Sequence, residues 1–591
     1  YYSALAGIGS DDAINEITNA YKNETGSNRD AAFDALSNIS SFHVIYPMLD
    51  VIRSSNDNKE IEKVVDAIIN VIRRSDETGS IKYLYLREAM EFAQNDRQKN
   101  TILRQLGSTG QYQAMLFAAP FMDVPALSES AASAVMNIGI SNPAFAGKET
   151  TAVLNKAAKT LSNPDADYQR QSINKFLSEN PTDGGFVSLF NGENLNGWKG
   201  LVANPIVRAK MSAKELTAAQ VKADQQMAMD WKVEDGQIVF DGKGYDNLCT
   251  EKQYGDFEML VDWKLYPGAE PDAGIYLRGT PQVQMWDTAR VDVGAQVGSG
   301  GLYNNQTHMS KPLKLADQKV GEWNSFLIRM VGERVSVWLN GELVTDNVVL
   351  ENYWNRNQPI FPVEQIELQA HGSKVAYRDI YIKEIPRPEP FVLSEEEKSE
   401  GFKVLFDGTN LDEWTGNKVD YTTESGNIVL YPPTTGSGGN LYTKDQFDNF
   451  VFRFEFMLTP GANNGLGIRT PMEGDAAYVG MELQILDNDA PIYENLEIYQ
   501  YHGSVYGVIP AKRGALKPLG EWNYQEVIAD GDNIKITLNG TTILDGNIRE
   551  ASKNGTLDGR DHPGLLNETG HIGFLGHGSP VKFRNIRVKE L

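Results

Sequence analysis

Hydrophobic positions recur in two different rhythms along this chain, and the change of rhythm divides it. From Tyr1 to about residue 180 the spacing is helical: Val64, Val65, Ile68, Ile69 and Ile72 share one face, as do Ile102, Leu103 and Leu106, and again Ala131, Ala134, Val135 and Ile138. Breaks at Ser54-Ser55-Asn56, Asp76-Glu77-Thr78-Gly79, Gly107-Ser108-Thr109-Gly110 and Ser141-Asn142-Pro143 cut this region into short helices. Paired helices between such breaks predict a HEAT-like α-solenoid, a scaffold that carries no chemistry and suits a protein partner. At Pro181-Thr182-Asp183-Gly184-Gly185 the period falls to two and glycine becomes frequent, which predicts short strands.

The strand region is written twice. Phe186-Val187-Ser188-Leu189-Phe190-Asn191-Gly192 returns as Phe402-Lys403-Val404-Leu405-Phe406-Asp407-Gly408, each followed by a Leu and a Trp. Phe257, Met259, Val261 and Trp263 alternate with largely polar residues, as do Phe450, Phe452, Phe454 and Phe456. Gly321-Glu322-Trp323-Asn324 returns as Gly520-Glu521-Trp522-Asn523, and each leads to an Asn-Gly hairpin turn, a dipeptide that suits positive φ. The copies close on His371-Gly372-Ser373 and His577-Gly578-Ser579. Two copies of about 200 residues, nearly all short strands, predict two β-sandwiches of jelly-roll type. The expected architecture is multidomain α+β: a helical region at 1–180, a first sandwich at 181–388 and a second at 395–591. The first copy carries an insert at about 202–230, helical over Lys214 to Met229. Pro386-Arg387-Pro388-Glu389-Pro390 predicts a stiff linker, and Ser394 followed by three glutamates predicts a helix start.

Composition narrows the function. A net charge of −24 argues against nucleic acid and against anionic membrane surfaces, both of which reward basic patches. A single cysteine, Cys249, excludes intrachain disulfides and cysteine-based metal sites. No apolar run approaches the ~20 residues of a membrane span. The start at Tyr1-Tyr2, without Met, is what a processed product would show; an exported protein of the periplasm or cell surface, its signal absent from this chain, is expected.

The candidate chemistry lies on Met481-Glu482-Leu483-Gln484-Ile485-Leu486-Asp487-Asn488. On a strand Glu482 and Gln484 share a face, and an irregularity after Ile485 would bring Asp487 to the same side. The first copy repeats the row as Gln282-Val283-Gln284-Met285-Trp286-Asp287, with the acid lost. Asp487-Asn488-Asp489 is oxygen-rich and suits Ca²⁺ or another divalent cation; no cofactor is otherwise indicated. Neither a phosphate-binding loop nor a dinucleotide fingerprint is present.

Taken in order, Phe-Asp-Gly-(x)2-Leu-(x)2-Trp, Glu-x-Gln-Ile-Leu-Asp, Tyr506-Gly507-Val508-Ile509-Pro510, Gly-Glu-Trp-Asn, Leu-Asn-Gly and the closing His-Gly-Ser-Pro-Val-x-Phe-Arg-Asn-Ile resemble the 3-keto-disaccharide hydrolase domain family. The resemblance covers both copies. It implies a concanavalin-like jelly roll, a family common in Bacteroidota, and a sugar substrate already oxidised to a ketone at C3. It further implies proton removal from C2, loss of the glycosidic oxygen by β-elimination, and addition of water. The second copy keeps more of the pattern and is the expected catalytic one, with Glu482 or His577 as base, Arg469 as oxyanion stabiliser and Asp487 orienting the site or binding a cation. Gln484, Tyr506 and His502, with Arg278, Gln284 and His371 of the first copy, are the expected substrate-binding residues. The rival reading is a non-catalytic pair of carbohydrate-binding sandwiches on a helical scaffold. An ordinary endoglucanase would place an acid where Gln484 stands.

Overall fold

The computed structural model describes residues 1–591 apart from Asn357, Pro359, Val419 and 431–438. Among the described residues, eleven α-helices run from Tyr2–Ile8 to Ala166–Glu179. Asn58–Arg74 shows why they form. Asp57 caps the first turn by accepting from the Lys59 amide at 2.9 Å, Arg73 and Arg74 close the last turn, and Ile61, Val64, Val65, Ile68 and Ile72 make one buried stripe. That helix packs against Ile45–Ser54 before it, and against Gly79–Phe92 and Asp96–Leu106 after it. This is the neighbour-on-neighbour stacking of a solenoid.

Each strand region forms an eight-stranded antiparallel sheet packed on a five-stranded one, with the same strand order in both copies. In the second copy the five-stranded sheet runs Trp414–Gly416, Leu441–Phe447, Gly570–Gly576, Asn463–Thr470, Met481–Leu486. Alternation sets the faces. Phe452, Phe454 and Phe456 enter the core between the sheets, while Arg453 and Glu455 face outward and pair with Glu526 at 2.8 Å and Arg584 at 2.7 Å. The predicted insert helix is present as Ala213–Asp230, opened by a capping box between Ser212 and Glu215. Glu395–Ser399 is likewise opened by Ser394 and Glu397.

The outer faces of the two large sheets differ. In the second sandwich that face is charged. In the first, Val239, Leu260, Trp323 and Ala376 merge into the core of the helical region. Polar contacts fix the docking: Thr78 Oγ1 donates to Asn340 O at 2.6 Å, Tyr83 Oη to Asp379 at 2.6 Å and to Asp262 at 3.1 Å, and Arg53 pairs with Glu322 at 2.9 Å. One face of the helical region is therefore occupied by the protein's own first sandwich.

Candidate functional site

On the exposed face of the second five-stranded sheet, Met481–Leu486 and Asn463–Thr470 pair without a register shift, with Gln484 opposite Gly465 and Glu482 opposite Gly467. Gly465 on the facing strand leaves the space into which Glu482 leans; a Cβ there would lie 2.7 Å from Glu482 Cδ. His577 follows Gly570–Gly576 on the adjoining strand, and its Nε2 stands 3.4 Å from Glu482 Oε1. The bond to Glu482 raises the His577 pKa above its ordinary value, against burial; Coulomb attraction from Glu482 and Asp475 adds to the rise. Glu482 is largely covered, whereas His577 is 45% exposed, so the pair presents its imidazole to the cleft.

This pair borders a cleft of about 290 Å³, also lined by Asn463, Asp475, Tyr478, Gln484, Tyr506 and Arg560. Two acceptors there, Asn463 Oδ1 and Gln484 Oε1, are buried without a hydrogen-bond partner. Buried polar atoms are normally satisfied, so these two are free to accept from water or from a ligand's hydroxyls. Tyr506 Oη accepts from Gln500 Nε2 at 3.1 Å, which fixes the ring at the rim. The cation at this cleft is Arg560, whose Nη1 donates to Tyr478 Oη at 2.7 Å. Its loop is braced by His562 Nε2 against Asp558 at 3.0 Å and by the Leu557 amide on Gly507 O at 2.7 Å.

Three expected site residues of the second sandwich lie elsewhere. Arg469 does not reach the cleft. Its guanidinium donates to Asp448 O at 2.9 Å, Gly531 O at 2.8 Å and Asn449 Oδ1 at 3.0 Å, which spends it on tying strand ends together. Asp487 does not come round through an irregularity, because the strand stays in register to Leu486. It turns back to accept from the Gly461 amide at 2.9 Å and borders a separate cavity of about 230 Å³. His502 is a core residue: it stacks on Phe456 at 5.1 Å, donates from Nε2 to Gln525 Oε1 at 3.0 Å, and accepts the Leu486 amide at Nδ1. Burial pushes its pKa down to about 4. Among the described residues no group of three or more His, Cys, Asp or Glu is placed to hold a metal ion; near Asp487 the oxygens accept amides from Gly461 and Asp489.

In the first sandwich Arg278 repeats the part of Arg469. It donates to Pro362 O at 3.0 Å and to Gly332 O, the counterpart of Gly531, and both arginines sit at positive φ (49° and 48°). Duplication thus preserved a structural latch rather than a binding residue. Gln284 and His371 do face outward on the sheet equivalent to the cleft, gathered around Asp272. The sequence reading missed Asp475, Tyr478 and Arg560. Tyr478 lies in the short helix Ala476–Val479, which Asp475 caps, and Arg560 lies in a loop; none of the three carries a periodic signal, and only the isolated Asp558-Gly559-Arg560-Asp561-His562 cluster marks the last of them.

The 3-keto-alpha-glucoside-1,2-lyase-like domain model matches residues 185–383 and again 401–589. A 3-keto-disaccharide hydrolase from Bacteroides thetaiotaomicron is 29% identical over 230 residues, which is 33% of this chain and 79% of that protein. Two solved structures of proposed glycosyl hydrolases from Parabacteroides distasonis align at 25% and 27% identity with TM-scores of 0.31 and 0.29. They cover 34% and 32% of this chain and 100% and 99% of their own.

Proposed function

Because this chain belongs to the 3-keto-alpha-glucoside-1,2-lyase-like domain family, we propose that its second sandwich cleaves glycosides whose C3 hydroxyl has been oxidised to a ketone. The observation that carries this reading is the Glu482–His577 pair at the mouth of a cleft that also holds Arg560. A ketone at C3 acidifies the C2 proton, since the pair of electrons left behind is delocalised onto the C3 oxygen. Glu482 takes that proton. The Tyr478 hydroxyl and the Arg560 guanidinium, held 2.7 Å apart, supply donors for the enolate oxygen in place of Arg469. The enolate then re-forms its C3 ketone, a C1–C2 double bond appears, and the C1–O bond breaks. His577, kept protonated to higher pH by Glu482, gives its proton to the departing oxygen. Water then adds across the double bond: its oxygen bonds to C1 as neutral His577 takes the proton it releases, and Glu482 returns its proton to C2, so both groups are reset and the net reaction is hydrolysis.

The reading is tested by incubating the full chain with a 3-keto disaccharide and its unoxidised parent side by side. Cleavage of only the keto form supports it. Glu482→Gln should lower turnover by about 10³-fold, within the usual range for loss of a positioned base. Retained turnover in that variant, or equal cleavage of the unoxidised sugar, rejects the assignment.

A further inference from the structure

The two copies can be compared position by position through their strand pairing. Gly274 faces Gln284 as Gly465 faces Gln484, and Asp272 faces Trp286 as Asn463 faces Leu486. The Gln369 amide bonds to Gly274 O, which sets Gln369 at the place of Leu575 and His371 at the place of His577. The first copy has not simply lost its acid. Gln282 replaces Glu482, but Asp272 replaces Asn463, so the carboxylate has crossed to the neighbouring strand. Asp272 Oδ2 lies 3.7 Å from His371 Nδ1, and Gln284 Nε2 donates to Asp272 Oδ1 at 2.8 Å. Gln282 donates in turn to Gln284 Oε1.

Two further features point outward from this chain of bonds. Gln369 is 8% exposed and its Oε1 has no partner. That oxygen faces the same patch: a Cβ on Gly274 would lie 3.0 Å from it and 2.8 Å from Gln282 Cδ. Tyr245 is 72% exposed and stands edge-on to the His371 ring at 6.0 Å. An open aromatic face beside amides and an acid–imidazole pair is suited to a pyranose ring, whose C–H face stacks while its hydroxyls bond to amide and carboxyl oxygens. Burial raises the Asp272 pKa, against the pull of His371.

We propose that this face of the first sandwich is a second carbohydrate site, one that holds a pyranoside with its hydroxyls intact and does not cut it. The position that supplies the base in the other copy is an amide here, so binding is retained without proton abstraction. The inference rests on the proposed function only for the chemical class of the ligand.

The test uses the full chain carrying Glu482→Gln, which disables the proposed cleavage site, with methyl α-D-glucopyranoside as probe, a sugar that has no C3 ketone. Binding is read by saturation-transfer NMR and calorimetry, with the thermal transition as the check on folding. Binding should persist in this background. Adding Tyr245→Ala should weaken it by about tenfold, and Gln369→Leu, which copies the other sandwich, by about threefold. Binding left within about twofold by both changes, or removed by Tyr506→Ala instead, overturns the proposal. So does the absence of any binding up to about 50 mM probe. Failure of the catalytic reading would show separately, as unmodified protein leaving a 3-keto disaccharide uncut.

Discussion

Gly465→Ala tests the geometry of the cleft more sharply than removing a cleft residue does. The glycine is not at positive φ, so the backbone accepts alanine, and the whole effect falls on Glu482. The added methyl would lie 2.7 Å from Glu482 Cδ and 2.8 Å from Cγ, and closer still to Oε1. Ordinary contact begins near 3.4 Å, so Cδ must withdraw by about 0.7 Å and the oxygen by more. A catalytic group misplaced by about 1 Å costs on the order of 10² in rate, about 2.7 kcal/mol of barrier. Stability should move by less than about 1 kcal/mol, because the alanine also loses less backbone entropy on folding. The assay is kcat and KM on a 3-keto glycoside together with the thermal midpoint. Gly467→Ala is the control: its Cβ would meet Leu575 at 3.1 Å and Thr470 at 3.2 Å, away from the carboxylate, and should alter the midpoint more than kcat. If Gly465→Ala turns over at the unmodified rate, Glu482 does not act from the position described.

Other expectations follow from the same contacts. His502 is neutral in the fold, with its pKa near 4 against an ordinary 6.5. The unfolded chain therefore binds the extra proton as pH falls through 6.5, and stability should drop by about 3 kcal/mol by pH 4; denaturant titrations of the protein and of His502→Gln check this, the variant losing that slope. Arg469→Met removes three hydrogen bonds at strand ends and should cost about 3 kcal/mol of stability in chemical denaturation, while the folded fraction keeps its kcat. Tyr83→Phe takes a hydroxyl from the fully buried Asp262 and from Asp379, and should destabilise the docking of the helical region by about 1–3 kcal/mol. In calorimetry that would appear as an earlier transition, with cleavage by the second sandwich unaffected.

The order of hydrophobic and polar residues determined the elements and their number of copies, because periods of 3.6 and 2 follow from backbone geometry alone. It also placed Glu482 and Gln484 on one face of one strand, and the duplication marked His577 as the residue to pair with them. What it left undecided is which ends of the strands meet in space. Arg469 and Asp487 lie close in sequence to the Glu482 strand, yet both are spent on backbone groups beyond the ends of the pairing. Arg560, far along the chain, arrives at the cleft on a loop held by His562 and Asp558. In the first copy the substitution of Gln282 read as a loss, and only the register showed the acid standing one strand away at Asp272. A strand fixes the direction of its own side chains, but convergence between strands and loops depends on register and closure, which are long-range packing events with no local signature.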